Sequence, residues 1–375
     1  MKHTRRTAFK ILGLTLAIGS LGFATAARAD DDDGFRAGRI FTSTNAVAGN
    51  ELLVYASAPG GMLSLQARFD TQGQGSGTGL GNQGAVSLSR NGRFLFVVNA
   101  LSNSVSTFAI RRDGIVLQSS VGSGGQQPIS VTEHEGIVYV LNAGGAGNVT
   151  GFRNVDGTLQ ALPGSTQPLS AAGGTGPAQV ALSPDGDVLL VTEKATNKLT
   201  SYRVRHDGRI DAPLVTASAG ATPFGFAFDR RGNALVSEAF GGAANASAVS
   251  SYGFEDRMPA KPMLISASVA TTQTAACWVV VTPNGRHAYV TNTGSATISS
   301  YSVQKSGRLA LAQGVAATSG NGPIDAAISA DGRGLFVLNS GSHTITSFTI
   351  ARDGSLSASG SAAGLPAAAN GLAAN

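Results

Sequence analysis

Short runs in which apolar residues alternate with small polar ones recur along the chain, as in "SVSTFAI" (104–110) and "TISSYSV" (297–303). A period of two predicts half-buried β-strands, and no stretch between them keeps a helical period. The runs are punctuated by tight-turn signals. One set reads "RNG" (90–92), "PDG" (184–186), "PNG" (283–285) and "ADG" (330–332); a second reads "RDG" (112–114), "VDG" (155–157), "HDG" (206–208) and "RDG" (352–354). Glycine at the last place accepts the positive φ that such hairpins require. Between the two sets stands a strand ending in Asn or Glu, as in "LFVVN" (95–99), "VYVLN" (138–142), "YVTN" (289–292) and "LFVLN" (335–339).

Aligning those strand ends gives Asn45, Asn99, Asn142, Glu193, Glu238, Asn292 and Asn339, a repeat of roughly 50 residues. Each repeat holds four strands, so the pattern predicts an all-β, seven-bladed β-propeller of four-stranded antiparallel blades over 39–375. The first unit begins at its second strand, "RIFTSTN" (39–45), and the tail "GLPAAANGLAAN" (364–375) resembles the opening of the last full unit, "GPIDAAISADG" (322–332). The tail is therefore expected to supply the innermost strand of the first blade and close the ring.

Residues 1–29 read differently. Lys2, Arg5, Arg6 and Lys10 precede an apolar run from Ile11 to Ala24, and "ARA" (27–29) has the small residues of a cleavage site. This is the layout of an export signal, and the run is too short to span a bilayer. "TRRTAFK" (4–10) resembles a twin-arginine signal, which implies a periplasmic or secreted protein with a flexible acidic start at 30–38. The leader also accounts for the charge. Of 27 Lys and Arg, five lie in residues 1–29, which hold no Asp or Glu, so 22 basic residues face 22 acidic ones in the remainder. No basic footprint for nucleic acid is left, and neither membrane insertion nor a nucleic-acid partner is expected. The lone cysteine, Cys277, cannot form an intrachain disulfide.

Antiparallel order places the seven Asn/Glu positions on the same face as the connections between blades, at the mouth of a central channel. Asn ends strands readily because its side chain bonds nearby backbone. Glu193 and Glu238 do not fit that explanation so easily, and they stand in adjacent blades. They are the candidate general bases, with Asn142, Asn292 and Asn339 as polar groups that orient a small-molecule ligand. "TTQTAACWVVV" (271–281) adds Gln273 and Trp278 to the same mouth, "PFGFAF" (223–228) adds Phe224, and "NSGSHT" (339–344) adds His343. No His, Asp or Glu cluster has metal-ligand spacing, so no metal or cofactor is expected. "GLGNQG" (79–84) matches a dinucleotide-binding pattern but leads into a strand, with no helix N-terminus to receive a pyrophosphate. It reads as an inter-blade loop.

The grammar GP…SPDG…V(T/L)(N/E)…DG resembles the lactonase-type seven-bladed propellers, which include 6-phosphogluconolactonases and fungal-type carboxymuconate lactonising enzymes. The literal "YVTN" is also similar to YVTN-repeat propellers. The resemblance implies ring-opening chemistry with a Glu at the Glu193 position. In "GPAQVALSPDG" (176–186), however, Ala178 and Gln179 occupy places where such members often carry Arg and His, and "QQPISV" (126–131) lacks a further His. The resemblance therefore implies a neutral lactone rather than a phosphorylated or tricarboxylate substrate, with Gln179 among its contacts. A non-catalytic propeller binding a small molecule, glycan or protein fits the same residues.

Overall fold

The computed structural model describes residues 38–375 except 59–61 and 255–259. The export signal and most of the acidic start lie outside the described residues. Seven antiparallel sheets follow one another along the chain, six of them built from sequential strands and the first completed by the chain's tail. Blade four is representative: Pro177–Leu182, Val188–Glu193, Lys198–Arg203 and Leu214–Ala217 run from the axis outwards. Blade three adds the two-residue strand Gln167–Pro168 beside its third strand. Among the described residues, no helix is long and apolar enough to cross a membrane.

Blade one is closed by the chain's tail. Asn370–Ala374 pairs with Arg39–Ser43, and the chain ends exchange bonds: Arg39 N donates to Asn375 Oδ1 (2.9 Å), and Asn375 N to the Arg39 carbonyl (3.1 Å). The core is divided among the gaps between blades, because each sheet carries apolar side chains on both faces. Phe41, Val97 and Phe108 fill the space between blades one and two, and Tyr139, Leu189 and Tyr202 that between three and four.

Except at Asn45, which bonds the loop at Ser76 and Thr78, the repeated Asn is a clamp across the second and third strands. Asn99 Nδ2 donates to Ser104 Oγ (3.1 Å) and Ser106 Oγ (2.8 Å). Asn292 does the same with Thr297 and Ser299, and Asn339 with Thr344 and Thr346. The spacing of five and seven residues is the register of a tight hairpin. A glycine from the preceding loop packs against the clamp: a Cβ on Gly73 would fall inside 3.0 Å of the Asn99 side chain, and one on Gly220 equally close to Glu238. Gly73→Ala is therefore expected to cost about 1–3 kcal/mol of stability, since overpacking displaces a buried polar group. Denaturant titration checks this; an unchanged midpoint would mean the loop yields without cost.

Candidate functional site

Glu193 and Glu238 stand at the ends of second strands, where the hairpin clamp sits, and both are 0% exposed. Glu193 accepts from Ser170 N (2.9 Å), Thr196 Oγ1 (2.8 Å), Thr200 Oγ1 (2.6 Å) and the Ser170 hydroxyl. Glu238 accepts from Gly220 N (2.8 Å), Ser250 Oγ (2.5 Å) and Ser268 Oγ (2.7 Å). A hydroxyl donates to a carboxylate as readily as it accepts from an amide, so Glu replaces Asn in the same clamp. Neither carboxylate opens onto the mouth. The expectation that this ring faces a ligand is corrected here: Asn142, Asn292 and Asn339 are also 0% exposed and lie within their blades.

The mouth is occupied by the loop 79–84, which crosses the axis as a plug. Gln83 N donates to the Ala178 carbonyl of blade four (3.1 Å), and Gln83 Nε2 to the Val279 carbonyl of blade six (3.2 Å). Trp278 Nε1 donates to the Asn82 carbonyl (2.6 Å), Asn82 Nδ2 to the Ile129 carbonyl of blade three, and Val131 N to the Gly84 carbonyl (2.9 Å). Gly225 faces this plug, and a Cβ there would strike the Gln83 amide. Reading 79–84 as an inter-blade loop without a helix is right, but nothing local in it announces contacts 196 residues away in sequence.

Lys194 secures the plug. Its ammonium donates to the Gly81 carbonyl and to the Pro177 carbonyl (3.3 Å), and lies 4.5 Å from the Phe224 ring centroid, a cation–π distance. Burial pulls this ammonium down to about 8, opposed by nearby Cys277, and burial pushes the Cys277 thiol up to about 11. Phe224 in turn packs on Trp278 with centroids 5.1 Å apart. Thus Trp278 and Phe224 do meet at the mouth. Gln179 is nearby but committed, its Oε1 accepting from Phe226 N (2.6 Å). Gln273 bonds Thr272 and Thr297 in its own blade, and His343 is exposed in a left-handed turn; neither lines the mouth cavity.

Sequence reasoning missed Lys194 and Asp325, although both leave a trace. The residue after each Asn/Glu position is small in the other six repeats (Ala46, Ala100, Ala143, Ala239, Thr293, Ser340) and lysine only at 194. Likewise the fourth place of "GPID" (322–325) matches Ser130, Gln179, Gly225 and Trp278, and only Asp325 is acidic. Beside the plug, Gly79, Gly81, Trp278, Ile324, Ser340 and Asn370 border a cavity of about 240 Å³ on the loop side. It offers an aromatic wall and a few polar groups, with the Lys194 ammonium held at Gly81.

The fold and this plugged mouth define a closed seven-bladed propeller with a cavity beside the plug. The chain belongs to the lactonase, 7-bladed beta-propeller family, whose model matches residues 146–252 and 249–369. It is similar to a putative 6-phosphogluconolactonase from Bacteroides uniformis: 17% identity over 89% of this chain and 98% of that one, TM-score 0.66. A periplasmic gluconolactonase from Pseudomonas aeruginosa matches at 16% identity over 89% and 98%, TM-score 0.65. A hypothetical selenium-binding protein from Sulfolobus tokodaii matches at 11% over 90% and 93%, TM-score 0.63. At these identities the likeness is one of fold. No curated protein sequence matches the chain.

Proposed function

We propose that the protein is an exported lactonase that binds a small neutral lactone in the loop-side mouth and opens its ring by hydrolysis. The observation that carries this reading is the cavity beside Trp278, one of whose bordering residues, Gly81, holds the half-buried Lys194 ammonium through its carbonyl. The indole supports the ring of the substrate, and the Lys194 donor not engaged by Gly81 or Pro177 meets the lactone carbonyl oxygen. Water attacks the carbonyl carbon, the oxygen becomes anionic opposite the ammonium, the ring acyl–oxygen bond breaks, and the departing alkoxide takes the proton released by the water. A cation held in place by two backbone carbonyls stabilises that developing charge. The leader at residues 1–29 supports export, and the Pseudomonas relative is described as periplasmic.

Lys194→Met is expected to lower turnover of five- and six-membered neutral lactones by about 10²–10³-fold. Wild-type turnover should fall as pH rises through about 8, where the ammonium loses its proton. Unchanged turnover in the variant would remove Lys194 from the reaction. One observation favours a non-catalytic binding protein instead: both carboxylates that would serve as bases are sealed inside their blades. Calorimetric binding of lactones without any turnover would establish that second reading.

A further inference from the structure

Below the plug the channel continues as a separate cavity of about 260 Å³. It is walled by first strands of blades one, two, three, four and seven and reaches Leu88, Ile328 and Ala374, the last strand residues before the opposite face. Its sides mix aliphatic side chains, among them Val180, Ala181 and Ala327, with the hydroxyls of Ser87 and Thr132, and its ceiling carries Gln83, Gln179 and Asp325. Asp325 is 1% exposed. Its Oδ1 accepts from Ala326 N (2.8 Å) and its Oδ2 from Leu372 N (3.0 Å), with the Gly84 N–H a third donor.

Three backbone donors converging on one carboxyl are arranged for its anionic form. No matching cation is supplied. The plug (79–84) and the flanking strands Gly334–Asn339, Asn370–Ala374 and Ala276–Val281 contain no Lys, Arg or His, and their only titrating side chain is Cys277. His287–Asn292, the remaining neighbour, brings His287 and Tyr289; Tyr289 Oη is engaged by the Gly354 carbonyl on the turn side (2.8 Å). Burial, opposed only by the three N–H groups, lifts the Asp325 carboxyl to about 8. A buried acid without a counter-charge, at the plugged end of a cavity of mixed polar and aliphatic lining, is the arrangement expected of a ligand site.

We propose that this lower channel is a second binding site, entered from the turn side, for a small aliphatic ammonium whose charge pairs with Asp325 and whose carbon chain lies along the aliphatic side chains of the walls. The site is separate from the mouth, so it stands or falls independently of lactone turnover. Below pH 8 the carboxyl must lose its proton to pair with the ammonium, and one proton leaves per ligand bound.

Titration calorimetry of the full-length protein with n-butylammonium tests this. The apparent affinity should rise about tenfold per pH unit from 6 to 8 and level off above, with proton release seen in buffers of different ionisation enthalpy. The neutral isostere n-butanol should bind at least tenfold more weakly. Asp325→Asn should abolish the preference for the ammonium. Because that change also touches the Gly84 and Leu372 contacts, Ala181→Leu provides a control that fills the cavity and spares the carboxyl; it too should abolish binding. Absent binding, an affinity independent of pH, equal binding of n-butanol, or undiminished binding to Ala181→Leu would each overturn the proposal.

Discussion

Deletion of residues 365–375 is expected to leave the protein insoluble or to lower its melting temperature by about 10 °C or more. The deleted segment is the innermost strand of blade one, and its loss uncovers Ile40 and Phe41, which are fully buried in the intact ring. Leu365, Ala369 and Leu372 leave one inter-blade core and Ala373 another. At about 1.5–3 kcal/mol for each large apolar side chain, with smaller amounts for the alanines, the lost burial is on the order of 5 kcal/mol. That is comparable with the whole net stability of many domains. The exposed edge of Arg39–Ser43 would also pair with other chains. A synthetic peptide of the deleted segment should restore part of the melting temperature by adding the strand back. An unchanged melting temperature on deletion would show that closure contributes nothing.

The second large effect separates two roles for the clamp carboxylates. Glu193→Ala strands the buried Thr200 Oγ1 and leaves the half-buried Thr196 Oγ1 and both donors of Ser170 without their acceptor. At about 1–3 kcal/mol for each buried donor left unmade, partly relieved by rearrangement, a loss near 4 kcal/mol is expected. Glu193→Gln keeps the shape, and the hydroxyls can turn to accept from its amide, so its cost should stay below about 1 kcal/mol. Glu238 should behave in parallel through Ser250 and Ser268. Chemical denaturation of the four variants measures this. Loss of turnover in the Gln variants at unchanged stability would instead restore a catalytic role.

The contrast between what was legible in the chain and what was not follows from the range of the interactions. Strand periodicity and Gly turns act within a hairpin, so the blades, their number and the closing strand could be read from "RIFTSTN" and "GLPAAANGLAAN". Asn99 with Ser104 and Ser106 is equally local, and it explains why the repeated Asn looked like a ring of ligand contacts while serving as a hairpin clamp. The mouth is different. Trp278 meets Asn82, and Asp325 meets Leu372 and Gly84, only once the ring is assembled. Trp278 and Phe224 were identifiable by residue type alone; Lys194 and Asp325 required comparing the same place in every repeat.

The plug also bears on how the molecule is made. Residues 79–84 leave the ribosome early, yet their partners Lys194, Trp278 and Asp325 follow much later in the chain. At about 5–20 residues per second, the wait for Trp278 and Asp325 is about ten seconds or more. Throughout it the segment has at most its contacts to blades three and four, and the far side of the ring stays open. Seating is thus one of the last acts of maturation, and a chain stalled before blade seven would expose a glycine-rich strap that a protease can cut.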